Sequence, residues 1–524
     1  MRSVTLTTRK EWRWALLWSV LIVGLAFLPY IIAWMVAPAD TQYTGLLLNQ
    51  YDGESYYAKM QQGARGDWLF HLPFTSEPHE GAFVYTFYLA LGHLATGLGL
   101  PVPLVYHLAR ICAGLFLLLV AYRFVAQFFD RVRTRQAAFL LLGFSSGLGW
   151  LVAPLGLLTA DLWVAEGFTF LSILVNPHFP LTIGLMLLIF LRVLDQQEQP
   201  PRIRRFFGSA GLGLVLAVVQ PLAVLVVMVV LGVYLVLLTW RERGLPWGEL
   251  VTAGAAALAA APIMLYDLYA FRTNPALSAW SAQNLTLSLP PWDYALGYGL
   301  ILLLALGGIV CALRRRRLTD LFLVAWTGSV VVLLYLPFAL QRRFITGFHV
   351  PLTLLAALGL EQILWPRIRA KRRGLVTGII IAFTALTNVF VPVIAVAGMA
   401  QVKTPLVMSR DEAAACNWLA EHTTWTDTVL APVESAQFIP AWAGNRTVYG
   451  HPFETIDAET KEAETIQFFS SDATNTDRRV FLDRYGVRYV LVTDPETLPD
   501  TTSVGLSLVW SGDEAAIYRV ETRP

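Results

Sequence analysis

Windows of about twenty consecutive apolar residues recur from Trp12 to about Ala400 and then stop. A helix rising 1.5 Å per residue needs about twenty residues to cross a hydrocarbon core of about 30 Å, so most of this chain is built to lie in a bilayer. Composition agrees, because 56% of the residues are hydrophobic and only 15% charged. The 39 Lys and Arg against 37 Asp and Glu leave a net charge of +2, which gives no reason to expect a nucleic-acid partner. Three cysteines exclude a disulfide scaffold. Cys112 and Cys311 lie in apolar segments and Cys416 in the polar tail, and all three are expected as free thiols packed as small apolar groups.

The first apolar run, Trp12 to Val36, follows Arg2, Arg9 and Lys10, which places the N-terminus in the cytoplasm. It is too long for a signal-peptide core despite the small residues Ala37-Pro38-Ala39, and it reads as an uncleaved anchor. Further spans are expected at 105–129, 136–157, 180–194, 206–219, 221–240, 250–271, 294–313, 318–340, 350–364 and 375–399, about eleven in all. With that count, Arg131, Arg133 and Arg135, Arg202, Arg204 and Arg205, Arg241 and Arg243, Arg314 to Arg317, and the cluster Arg367 to Arg373 all fall on the cytoplasmic side. The register requires Ala82 to Leu100 to lie outside as a re-entrant or interfacial helix; the alternative is that it spans and a short segment near Phe206 to Pro221 does not. A multi-pass membrane domain, residues 1–403, is thus followed by an extracytoplasmic domain, residues 404–524.

The unusual polar residues gather on the outer side. The long first outer loop, residues 38–103, is too aromatic to be disordered and reads as functional. It carries Asp52-Gly53-Glu54 at the start of a helix with Tyr56, Tyr57 and Met60, then Gly66-Asp67-Trp68, then His79-Glu80. Asp52 reads either as an N-cap or as a functional acid. A second outer loop brings Asp161 and Glu166, followed by Asn176-Pro177-His178. A third supplies Gln341-Arg342-Arg343-Phe344, adjacent arginines that are either lipid-headgroup anchors or a clamp for phosphate.

In the tail the patterns predict helices at 409–422, with Ser409 and Glu412 as a capping box, and at 435–443, 457–469 and 477–485. Strands are expected at 428–432, 488–493, 506–510 and 515–520, the last two a hairpin around Gly512-Asp513, which together make a small α/β domain.

The whole plan resembles the GT-C glycosyltransferases, the polytopic class that contains protein O-mannosyltransferases, aminoarabinose transferases and oligosaccharyltransferases. The residues that carry the resemblance are the first-loop pair Asp52 and Glu54, the helix running to Gly66-Asp67-Trp68, Glu166, the Arg342-Arg343 pair, Asn176-Pro177-His178-Phe179, and Tyr449-Gly450-His451-Pro452-Phe453-Glu454. The WWDxG sequence of oligosaccharyltransferases is absent, and Pro291-Trp292-Asp293 imitates it poorly, which argues against transfer of an oligosaccharide to asparagine. The resemblance implies an inverting transfer of a hexose or pentose from a polyprenyl-phosphate donor to a glycan, lipid or protein acceptor on the outer face of the cell membrane. On that reading Asp52 is the general base, and Glu54 and Glu166 position the acceptor. Arg342 and Arg343 hold the phosphate, and His79, Glu80, His178 and Tyr57 are further substrate-binding candidates. No cofactor is required for the chemistry, although Asp52 and Glu166 are candidate ligands for Mg²⁺ or Mn²⁺. The rival readings are a transporter or lipid-carrier flippase and a non-catalytic envelope assembly protein. Against transport, the spans carry few charges apart from Arg110, Arg123, Arg192 and Asp267, and no inverted repeat is evident.

Overall fold

The computed structural model describes residues 7–194, 202–399, 406–494, 498 and 501–521. Arg2 and the expected domain boundary at 403–404 lie outside the described residues. Within them, seven helical segments are long and apolar enough to cross a membrane: Arg9–Val36, Val102–Val125, Val132–Leu155, Pro221–Glu242, Trp247–Thr273, Pro291–Arg315 and Ala370–Met399. The other expected spans are also helical but shorter or more charged. His178–Leu194 has 17 residues and Leu318–Leu333 has 16. The 18 residues of Arg202–Val219 begin with a basic turn, and His349–Gly359 continues into a π-helical turn at Leu360–Leu364. Cys416 is buried in the tail as expected, whereas Cys112 is exposed on its helix and is not packed as a core thiol.

Contacts divide the chain into two compact units. One comprises Met1–Pro29, His107–Tyr266 and Thr286–Ile394 and contains most of the apolar helices. Its interior is fastened by buried polar ties. Arg135 donates to Glu11 Oε1 at 2.9 Å, and the buried His349 ring bonds Ser145 Oγ at 3.1 Å and Thr169 Oγ1 at 3.0 Å.

The other unit comprises Tyr30–Tyr106, Asp267–Leu285 and Ala395–Pro524, so it joins the long loop at 38–103 to the tail. Its strands are β1 (Thr41–Tyr43), β2 (Val407–Ser409), β3 (Thr428–Leu430), β4 (Val487–Val492), β5 (Leu506–Ser511) and β6 (Ala516–Val520). β1 pairs antiparallel with β2, Thr41 opposite Ser409, which stitches loop to tail directly. The remaining strands form one sheet in the order β3-β4-β6-β5, with β3 and β4 parallel and the other pairs antiparallel. One side of the tail packs Met408, Leu419, Val429, Phe438 and Ile517 together; a second cluster holds Leu430, Phe468, Leu482, Val490 and Leu506.

The helices of this unit include α1 (Gln50–Ala64), α2 (Thr86–Leu98) and α3 (Arg410–His422). At 13 residues, α2 is about 20 Å long, shorter than the hydrocarbon core, and it does not span on its own. It lies against α1 at backbone distance. A Cβ on Gly63 would come within 2.0 Å of the Leu89 carbonyl oxygen, and one on Gly92 within 1.9 Å of that of Met60, so only glycine permits the approach. α3 starts with the expected capping box, the Ser409 hydroxyl accepting from Glu412 N–H at 3.0 Å and the Glu412 carboxylate accepting from Ser409 N–H at 2.9 Å.

Candidate active site

The residues singled out in the sequence fall into two constellations, one in each unit. In the unit formed by loop and tail, α1 begins at Gln50 behind Asn49, whose left-handed backbone (φ 50°) ends the preceding turn. Asp52 therefore sits inside the first helical turn and is not the N-cap, and its carboxylate faces the positive end of the helix dipole. Its side chain is 39% exposed. Opposite it, 4.0 Å from Oδ1, stands Nε2 of the buried His451.

His451 is held rigidly. Its Nδ1 accepts the backbone N–H groups of Phe453 and Glu454, both at 3.0 Å, which places the proton of the neutral ring on Nε2. Burial pulls its pKa down, against the carboxylates of Glu454 and Asp52, which favour the charged ring. Next to it runs a buried ion pair. Lys59 Nζ donates to Glu454 Oε1 at 2.8 Å and to Ser55 Oγ, and Ser55 Oγ donates to the same carboxylate oxygen at 2.6 Å. The ammonium also lies 4.6 Å from the centre of the Tyr85 ring and 5.3 Å from that of Phe70.

Of the remaining first-loop candidates, Glu54 and Tyr57 are built into the unit's interior. Glu54 was expected to position the acceptor; instead it is fully buried, with Oε2 accepting from Trp442 Nε1 at 3.1 Å and Oε1 without a hydrogen bond. Tyr57 is buried edge-on against Tyr106, ring centres 5.2 Å apart. His79 uses both ring nitrogens to brace its own loop, Nε2 accepting from Leu72 N–H and Nδ1 donating to the Glu77 carbonyl, each at 2.8 Å. Glu80 is exposed, and its backbone carbonyl accepts from Asn274 at 2.8 Å.

Burial pushes the Glu54 carboxyl well above the usual carboxylate range, and the Trp442 N–H offsets this only in part. A group that holds its proton more tightly folded than unfolded contributes stability that is fully present below its unfolded pKa of about 4.3. That stability is lost as pH rises through the folded value. Thermal unfolding of the wild type is therefore expected to lose ground to Glu54→Gln as pH is raised from 4, because glutamine stays neutral throughout. Parallel midpoint curves for the two proteins between pH 4 and 8 would count against a protonated Glu54.

In the unit of apolar helices, Glu166 lies in a 3₁₀ turn, Ala165–Gly167, and is buried. Arg343, on the turn Gln341–Ile345, reaches Glu166 Oε1 at 3.5 Å, and Arg342 stacks its guanidinium 4.4 Å from the centre of the Trp163 ring. The turns that carry Trp163 and Glu166 on one side and Arg342 and Arg343 on the other are thus joined by charge and by cation–π contact. Asp161 is engaged structurally, its carboxylate accepting from the N–H groups of Gly147 and Gly149 and from the Thr159 hydroxyl. His178 heads the helix His178–Leu194 with its ring 4.0 Å from that of Phe179. Among the described residues no three His, Cys, Asp or Glu side chains converge to hold a metal ion, and Glu166 is directed to Arg343. No chemical step is assigned to a divalent cation.

Sequence reading did not single out Ser55, Lys59, Trp442, His451 or Glu454 as site residues. The run Tyr449 to Glu454 stood out only as a pattern, and nothing local ties it to a helix that begins about 400 residues earlier.

No protein-family model and no curated protein matches this sequence. Solved structures do resemble the fold. ArnT from Cupriavidus metallidurans bound to undecaprenyl phosphate is 14% identical, with 96% of this chain covering 97% of that chain at a TM-score of 0.52; its apo form gives 0.54. The Archaeoglobus fulgidus oligosaccharyltransferase in the apo form is 14% identical, 93% of this chain covering 71% of that one at a TM-score of 0.50. The arabinofuranosyltransferase AftD from Mycobacteria is 15% identical with a TM-score of 0.51, and 96% of this chain spans 42% of its length. These are GT-C glycosyltransferases, and the chain has their fold.

Proposed function

We propose that this chain, with its GT-C fold, is an integral-membrane glycosyltransferase that moves a sugar from a polyprenyl-phosphate donor to an acceptor hydroxyl on the outer face of the membrane, with inversion. The observation that carries the reading is Asp52, a partly exposed carboxylate in the first turn of a helix, beside the buried residues Glu54, Ser55, Lys59 and His451. A carrier phosphate is a good leaving group, so a single base suffices and the second carboxylate of a glycosidase is unnecessary. Asp52 takes the acceptor's proton as the acceptor oxygen bonds to the anomeric carbon and the bond from that carbon to phosphate breaks. The cationic Arg342-Arg343 turn meets the growing negative charge on the phosphate. Glu166 aims Arg343 and Trp163 aims Arg342. Undecaprenyl phosphate in the ArnT structure supports a carrier of that kind.

The reading is tested with purified protein in nanodiscs and a panel of radiolabelled undecaprenyl-phosphate hexoses and pentoses, scoring binding and loss of label from the lipid. Wild type is expected to bind and discharge at least one of them. Arg343→Ala is expected to slow that discharge by about 10²-fold, the scale of losing one pre-organised charge donor. Failure of every donor to bind would overturn the proposal, and full activity in Arg343→Ala would overturn the phosphate assignment.

A further inference from the structure

We propose that His451 is a positioning residue for Asp52, holding the Asp52 carboxylate through its Nε2 proton in the orientation from which it takes the acceptor's proton; this rests on the reading of Asp52 as the base. The two partners differ in freedom. Asp52 is 39% exposed, whereas His451 is 1% exposed. The imidazole is walled by the rings of Phe74, Tyr51 and Phe453, with centres 5.3, 5.9 and 6.1 Å away. Its backbone is pinned as well, since the N–H groups of Gly450 and His451 both bond to Thr455 Oγ1. The result is a fixed N–H donor beside a movable carboxylate.

Nε2 forms no well-shaped hydrogen bond and faces Asp52 Oδ1 together with the backbone of Tyr51. Four ångströms is too long for a hydrogen bond, and a turn of the Asp52 side chain closes it. Bonds of this kind are commonly long before substrate arrives and tighten in the reacting complex. The charged groups around the ring are Asp52, Glu454 and Lys59, and the last two neutralise each other. His451 neither gains nor loses a proton in the step. The acceptor O–H breaks, its proton passes to Asp52, its oxygen bonds to the anomeric carbon, and the electron pair of the broken carbon–oxygen bond leaves on phosphate.

The two ring nitrogens do different work, and this makes the idea separable from a structural role. Asparagine at 451 offers an oxygen near the Nδ1 position to accept the Phe453 and Glu454 N–H groups and has nothing at Nε2. Glutamine carries an N–H out to the Nε2 position. Full-length His451→Asn and His451→Gln in nanodiscs would be assayed by steady-state kinetics with whichever labelled undecaprenyl-phosphate sugar the wild type discharges. His451→Asn is expected to keep its thermal midpoint and donor KM while kcat falls about 10- to 100-fold, the cost of a base out of line. His451→Gln is expected to recover most of that loss, and adding His451→Asn to Asp52→Asn is expected to cost nothing more. A wild-type kcat in His451→Asn would overturn the positioning role while leaving Asp52 as base. Loss of kcat and thermal midpoint together in both variants would also overturn it, in favour of a purely structural histidine. A wild type that discharges no donor would end both readings.

Discussion

Asp52→Asn is expected to lose about 10² to 10⁴-fold in the rate of sugar transfer, the contribution of a well-placed general base. The substitution keeps the size of the side chain and its place in the first turn of α1, and removes only the ability to accept a proton. Donor binding is expected to persist, because the phosphate is assigned to Arg342 and Arg343. Binding of the labelled undecaprenyl-phosphate sugar and its discharge should therefore separate, the first intact and the second lost. Asn at 52 with undiminished discharge would remove Asp52 from the chemistry without touching the fold.

The second large effect concerns stability. Lys59→Met leaves Glu454 buried without its counter-charge, and breaking a buried pair from one side costs about 3 to 5 kcal/mol. Lys59 is fully buried, so no rearrangement at the surface brings water to the carboxylate cheaply. Burial alone would raise the Glu454 pKa, but the Lys59 ammonium, with the hydroxyl of Ser55, holds it below the ordinary range. A depressed carboxyl contributes stability that is present above its unfolded pKa of about 4.3 and is lost as pH falls through the folded value. The gap in thermal midpoint between wild type and Lys59→Met should accordingly be widest near neutral pH and shrink in acid. The double variant Lys59→Met, Glu454→Leu should recover much of the loss, since a buried pair replaced by apolar residues of similar size is often no less stable. A gap that is flat from pH 3 to 7 would place the effect in packing and not in charge.

Local chemistry predicted local structure well in the tail. The capping box at Ser409, the hairpin at Gly512 and the strands around Val429, Val490 and Ile517 all rest on signals spanning a few residues, and all are present. Short apolar helices were harder, because a run of 11 to 18 apolar residues has the same pattern whether it crosses a bilayer or packs inside a bundle. Asp52 and Glu54 look alike in sequence, two acids one residue apart. Two positions on a helix differ by about 200° of rotation, so the fold turns one outward and buries the other beside Trp442. Which of the two faces out depends on Trp442, and no window around residue 52 contains that information. The same holds for Lys59, an ordinary amphipathic lysine until Glu454 is known to lie 2.8 Å from it.

The pairing of β1 with β2 also sets a timetable for biogenesis. Thr44 bonds to the backbone of Leu406, 362 residues later. At a synthesis rate of about 5 to 20 residues per second, the long first loop waits roughly 20 to 70 s before its partner strand exists. For that interval Lys59 has no Glu454, Glu54 no Trp442, and Asp52 no His451. The carboxylate assigned to catalysis is therefore assembled last, only after the final apolar helix has been made.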